Sequence, residues 1–181
     1  WFLNKINEEN SEEIFSKALQ YKKLPIYIIA SGVLGVKKIP QDTSRVQTLL
    51  QTAKKHFKYI FVDLDPALTN IYEFVKKRQS DRIYIVFNPN SASVNATKKL
   101  LTIELVLKSP RMILNKYTEK VESKIKDYKA DFKTEFLWTI PTNFLASSGA
   151  SAKKKTLKEI NPKMDIVECY KNLAEIIISR D

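Results

Sequence analysis

The chain has 181 residues, 44% hydrophobic and 28% charged, and its 31 Lys and Arg residues against 20 Asp and Glu residues give a formal net charge of +11. This composition is typical of a basic globular protein, and it excludes fibrous and disordered classes. A single cysteine, Cys169, and a single histidine, His56, exclude an intrachain disulfide and a Cys/His zinc cluster. No apolar run approaches the roughly 20 residues of a membrane span, so we expect one cytoplasmic domain over residues 1–181.

Five short apolar runs, rich in β-branched and aromatic residues, predict strands. They are residues 26–30, 59–62, 82–87, 111–114 and 135–140. Segments with helical spacing alternate with these runs. They are residues 10–21, 44–57, 69–78, 93–107, 117–129 and 165–179. The alternation predicts an α/β fold with a mostly parallel sheet and helices on both faces.

Polar residues follow several of the predicted strands. Asp63 and Asp65 come after the second run, Asn115 follows the fourth, and Pro141 and Thr142 follow the fifth. Ligands of open parallel sheets bind outside the carboxyl ends of the strands. The residues that follow the strands are therefore candidates for a binding site. The ordinary alternatives are that Asp63 caps a helix and that Asn115 stabilises its own turn.

The order of these strand endings resembles the later two-thirds of the MinD/ParA group of deviant Walker ATPases. The segments that carry the resemblance are the family's switch strand, the strand after it, the adenine strand, the loop over the base and the closing helix, at residues 58–68, 81–89, 112–116, 139–142 and 161–178. The likeness implies a Rossmann-like P-loop NTPase fold that binds ATP and Mg²⁺. The Asp-Leu-Asp-Pro turn resembles the CpaE/TadZ pilus-assembly branch more than plasmid partition proteins.

The resemblance also implies a role for each candidate residue. Asp63 would be the catalytic and magnesium-binding carboxylate that holds the metal's water shell or orients the attacking water. Asp65 would lie beside the phosphates, and Asn115 would read the edge of the adenine. Pro141 would provide a rigid apolar surface against the base, and the main chain of Thr142 would add hydrogen bonds.

Two departures from the family pattern stand out. Asp65 occupies the position where the family commonly has Pro. The Gly-rich phosphate loop is also missing, because the chain has only Gly32, Gly35 and Gly149. Residues 149–156 imitate such a loop, but Lys154 stands in place of its second Gly, and the small-residue segment 146–155 is predicted to be a mobile loop. We expect the N-terminal strand and the P-loop to lie upstream of Trp1.

The resemblance predicts a homodimeric ATP-binding switch and weak ATPase, with a protein partner in a positioning or secretion system. Its cargo would be a pilus or secretion apparatus, DNA or a division component. A catalytically degenerate localisation or scaffold module of the same fold is the alternative, and a response-regulator receiver phosphorylated on Asp63 is a third interpretation. A basic cluster could place the protein at the nucleoid or at an anionic membrane. Its members are Lys153, Lys154, Lys155, Lys158 and Lys163.

Overall fold

The computed structural model describes the chain in seven stretches. They are residues 13, 18–22, 24–29, 44–63, 81–102, 110–134 and 137–179. The chain divides into two compact units, Trp1–Asp81 and Arg82–Asp181. The single domain expected over residues 1–181 stays a prediction.

The described residues of the first unit form a short hairpin and a helix. Strand β1 (Leu19–Gln20) pairs antiparallel with β2 (Tyr27–Ile28). The main-chain N–H of Tyr21 donates to the carbonyl of Ile26 at 2.9 Å, which closes the hairpin. Helix α1 (Ser44–His56) agrees with the predicted helix 44–57 and buries Leu50, Thr52 and Ala53.

Two strand predictions for the first unit are wrong within its described residues, and one helix prediction is wrong at its C-terminal end. The predicted helix 10–21 ends in strand β1, and the predicted parallel strand 26–30 forms an antiparallel hairpin. The predicted strand 59–62 has no strand pairing. Each run has a large apolar side chain that is exposed to solvent, Ile28 in the first and Phe61 in the second, so neither run is covered on both faces. The predicted helix 69–78 lies outside the described residues.

The second unit contains a three-stranded parallel sheet. Its strands are β3 (Tyr84–Phe87), β4 (Arg111–Tyr117) and β5 (Leu137–Pro141), in the order β3-β4-β5. In the described residues of this unit, the connections and the C-terminal segment supply five α-helices and one 3-10 helix. They are α2 (Ser91–Thr102), the 3-10 helix Glu119–Lys124, α3 (Ile125–Phe132), α4 (Phe144–Ala152), α5 (Leu157–Ile160) and α6 (Asp165–Ile178). The predicted α/β fold with a parallel sheet is confirmed.

Each face of the sheet is covered by helices through its own apolar cluster. On one face, Phe87 meets the rings of Tyr128 and Phe132 edge to face, with centroids 5.4 and 5.0 Å away. On the other face, Ile113 and Ile140 pack in one cluster with residues of α6. Met112 and Leu114 in the central strand are fully buried. Burial on both faces explains why the strands are continuous apolar runs.

The segment predicted to be a mobile loop, 146–155, is instead largely helical. Helix α4 covers residues 144–152 and buries Ala146 and Ala150, which lie one turn apart on the same side. The side-chain oxygen of Asn143 accepts a hydrogen bond from the main-chain N–H of Ala146 at 3.0 Å and caps the helix. Small residues therefore form a helix here because they allow it to pack closely. None of the helices in the described ranges has the length and apolar character needed to cross a bilayer.

Candidate functional site at the carboxyl edge of the parallel sheet

Strand β4 contains a bulge at the position of Asn115. Leu114 pairs with Thr139 and Tyr117 pairs with Pro141, so β4 takes three steps where β5 takes two. Lys116 accommodates the extra residue with a left-handed φ of 57°, a conformation that costs a non-glycine residue about 1 kcal/mol or more. Bulges re-aim side chains and are over-represented beside active sites.

The strand ladder closes again immediately beyond the bulge. The main-chain N–H of Thr142 donates to the carbonyl of Tyr117 at 2.9 Å. Three of the predicted site residues, Asn115, Pro141 and Thr142, therefore lie together at the carboxyl edge of two adjacent strands. Asn115 and Pro141 are partly buried, and Thr142 is exposed.

Two other asparagines at this edge use their side chains to cap helices, whereas Asn115 does not. Asn143 caps α4, and Asn90 accepts from the main-chain N–H of Ser93 at 2.8 Å at the start of α2. Both are thus committed to helix ends. Within the described part of the chain, the side-chain amide of Asn115 makes no hydrogen bond. It retains a donor and an acceptor for a ligand.

Asn88, which follows β3, was not assigned a role from the sequence. Its main-chain N–H donates to the hydroxyl of Ser93 at 2.9 Å, while its side-chain oxygen is buried without a hydrogen-bond partner among the described residues. Leaving such an acceptor unsatisfied costs about 1–3 kcal/mol, and a bound donor would relieve that cost. The Asn-Pro ending of the third apolar run was the available signal, but it does not reveal whether the side chain is satisfied.

The acidic residues of the predicted site belong to the first unit. Asp63 is exposed, and Asp65 lies outside the described residues. Their assigned roles stay predictions. No group of three His, Cys, Asp or Glu side chains in the described ranges could hold a metal ion. Asp63, the residue that the sequence assigned to Mg²⁺, therefore has no such group around it in the described ranges.

The P-loop look-alike at 149–156 does not form a phosphate cradle. The main-chain N–H groups of Lys153, Lys154 and Lys155 donate back to carbonyls of Gly149, Ser151 and Ala150, at 3.0–3.1 Å. A phosphate loop instead needs N–H groups that converge on the ligand. The interpretation of this segment as a coincidental match is confirmed.

Cys169 packs against β5 from helix α6. Its thiol donates to the carbonyl of Thr139 at 3.2 Å. Burial raises the pKa of the Cys169 thiol, and the nearby Trp138 side chain partly opposes that rise. A raised pKa keeps the sulfur protonated and poorly nucleophilic. Cys169 therefore contributes to packing between α6 and β5.

Comparison with solved structures finds one with the same architecture. The crystal structure of a ParA family ATPase from Chlorobium tepidum TLS is similar to this chain with a TM-score of 0.75 and 17% sequence identity, over 92% of this chain and 72% of that chain. At this identity the likeness shows a ParA-like fold. No protein-family model and no curated protein matches the sequence.

Proposed function

We propose that the chain acts as a ParA-like ATP-binding switch and that the carboxyl edge of its parallel sheet holds the adenine. The observation that carries the proposal is the β4 bulge. It holds Asn115, with no internal hydrogen-bond partner for its side chain in the described part of the protein, at the edge where parallel α/β sheets bind ligands. The ParA-like fold supports the same proposal at the level of architecture.

The residues at this edge have the chemistry that adenine recognition needs. The Asn115 amide can accept from the exocyclic amino group of adenine and donate to a ring nitrogen. Pro141 offers a rigid apolar surface for the flat base. The N–H of Thr142 is already bonded to Tyr117, so this residue would contribute its carbonyl oxygen. The oxygen of Asn88, at the end of the neighbouring strand, is buried, so Asn115 is the amide through which we propose that this edge contacts the base.

The described part of the chain offers few groups that could bind the phosphates or Mg²⁺. Bound Mg²⁺ neutralises phosphate charge, but Asp63 belongs to no group of three or more possible metal ligands among the described residues. The chain has three glycines, too few to wrap a triphosphate in main-chain N–H groups. The small number of glycines favours a second candidate, a localisation or scaffold module of the same fold that does not turn over ATP.

The biological role that we propose is that of a positioning switch. As a ParA-like switch, the protein would form a homodimer and position a pilus or secretion apparatus, DNA or a division component. The ParA-like fold is the support for this role. The receiver interpretation is less favoured, because a phosphoacceptor Asp ends a parallel strand and the structure has no strand at residues 59–62.

The test is a thermal-shift titration with ATP, with GTP as the mismatched nucleotide. We expect ATP near ten times its dissociation constant to raise the melting temperature by about 3–6 °C, and GTP to have a smaller effect. Asn115→Asp removes the amide donor at nearly constant volume and should abolish the ATP shift. Asn172→Asp, at an exposed position of α6, is the matched control and should retain it.

The same titration separates the two candidates. If millimolar ATP leaves the melting temperature of the folded protein unchanged, the switch is rejected in favour of the scaffold. An ATP shift that survives Asn115→Asp would place the nucleotide elsewhere and reject the proposed site.

A further inference from the structure

Two large apolar side chains project into solvent at the start of α4. Phe144 is 77% exposed and Leu145 is 83% exposed. The helix buries its opposite side through Ala146 and Ala150. Packing within the protein therefore uses the small residues of α4 and leaves its two largest apolar residues in water, which is unfavourable.

The other end of α4 leads into the basic cluster. Lys153, Lys154 and Lys155 form an exposed turn directly after the helix, and Lys158 and Lys163 are also exposed. Residues 137–163 contain these five lysines and one acidic residue, Glu159. The Glu159 carboxylate accepts hydrogen bonds from the N–H and hydroxyl of Thr156 at 2.7 and 3.0 Å, as part of the cap of α5.

The distance between the two features is short. A nine-residue helix is about 14 Å long, so the apolar pair and the lysine turn can reach one surface together. An apolar anchor with flanking lysines is the arrangement by which helices bind an anionic bilayer: the apolar side chains enter the acyl boundary while the lysines meet lipid phosphates.

We propose that Phe144, Leu145 and the lysine turn 153–155 form a docking surface for an anionic lipid bilayer. A bilayer matches both parts of the surface, because it combines an apolar phase with fixed negative charge. Nucleic acid offers phosphates without an apolar phase, and a second copy of this chain carries the same net charge of +11. The proposal goes beyond nucleotide binding and does not depend on it.

The test is cosedimentation of the 181-residue protein with vesicles. We expect binding to vesicles of phosphatidylcholine with 30% phosphatidylglycerol, and about tenfold weaker binding to phosphatidylcholine alone. Phe144→Ser with Leu145→Ser should weaken binding to the anionic vesicles by about tenfold or more. Ile178→Ser, which removes a half-exposed apolar side chain from α6, is the matched control and should bind as the unmodified protein does.

The charge contribution has its own pair of variants. Lys153→Gln with Lys155→Gln should weaken binding several-fold, and added salt should weaken it further. Lys120→Gln with Lys126→Gln makes the same change of charge at exposed positions elsewhere and should have a smaller effect. Circular dichroism melting of every variant confirms that each remains folded.

Four results would overturn the proposal. These are no binding to anionic vesicles, equal binding by the Phe144/Leu145 double variant, equal loss in the two lysine pairs, and a dimer in light scattering that Phe144→Ser and Leu145→Ser convert to a monomer. A fluorescent DNA duplex is the competing probe. Tight DNA binding together with no vesicle binding would assign the lysines to nucleic acid.

Discussion

Asn115 and Asn88 give the carboxyl edge of the sheet its unsatisfied polar groups. Asn115 has a side-chain amide without a hydrogen bond among the described residues, and the buried oxygen of Asn88 lacks a partner in the same part of the chain. Buried polar groups are nearly always paired, so an orphaned acceptor needs an explanation. A bound base would pair the amide of Asn115, which is partly exposed, whereas the buried oxygen of Asn88 is closed to a ligand in this structure. The neighbouring Asn90 and Asn143, which cap helices, show how the same residue type is used when its role is structural.

The thiol of Cys169 makes the stability of the folded protein depend on pH. Burial raises the pKa of its thiol, so in the folded protein the thiolate forms at higher pH than in the unfolded chain. The contribution of this thiol to stability is therefore fully present below the unfolded pKa and is lost as the pH rises through the folded pKa.

The measurement is the rate of alkylation by iodoacetamide as a function of pH. The midpoint for Cys169 in the native protein should lie above the midpoint for the same cysteine in urea. A native midpoint at or below the urea value would contradict the assigned burial. Since Cys169 is the sole cysteine in the sequence, the signal needs no further assignment.

The bulge in β4 is the element that places Asn115. It depends on Lys116 at a φ of 57°, where β-branched residues are strongly disfavoured. Lys116→Gly should fold with equal or greater stability, and Lys116→Val should be less stable than Lys116→Gly by about 1–2 kcal/mol. The Lys116 side chain is exposed, so lost packing does not account for the difference.

Urea unfolding of both variants measures this effect. Equal stability of Lys116→Val and Lys116→Gly would show that the left-handed backbone is absent and that β4 runs without the bulge. Lys116→Val should also weaken the ATP-induced shift in melting temperature, since it disturbs the neighbour of Asn115.

The elements differ in how well their sequences predicted them. The apolar runs 82–87, 111–114 and 135–140 became neighbouring parallel strands, and the central run is covered on both faces. Runs 26–30 and 59–62 have similar composition, but which strand a run pairs with, and whether it pairs at all, depends on the tertiary fold, which composition does not encode. Helix α4 was missed because Ala, Ser and Gly resemble a loop unless the burial of Ala146 and Ala150 is known.

The candidate site was predictable in the same limited way. Asn115, Pro141 and Thr142 share one edge because parallel strands place their carboxyl ends together. The bulge, the orphaned oxygen of Asn88 and the exposure of Phe144 arise from strand register and helix packing. None of these has a local sequence signature. The roles of Asp63 and Asp65 stay predictions.

At the scale of the whole molecule, the second unit combines a ParA-like sheet with two separate surface features. The carboxyl edge carries unsatisfied amides suited to a base, while α4 and the turn after it carry apolar and basic side chains. The scarcity of glycine leaves the chain poor in phosphate-binding main chain. We therefore expect this chain to recognise the adenine more strongly than the phosphates.

Adenine binding at the carboxyl edge can be tested by titrating the ¹⁵N-labelled protein with adenosine and monitoring the titration by NMR. Adenosine carries no phosphate, so it cannot bind through the lysines by charge alone. We expect saturable chemical-shift changes at the main-chain amides of Asn115, Lys116, Tyr117 and Thr142, with little change at Lys153 to Lys155. Shifts confined to other parts of the chain, or no saturable shifts at all, would contradict it.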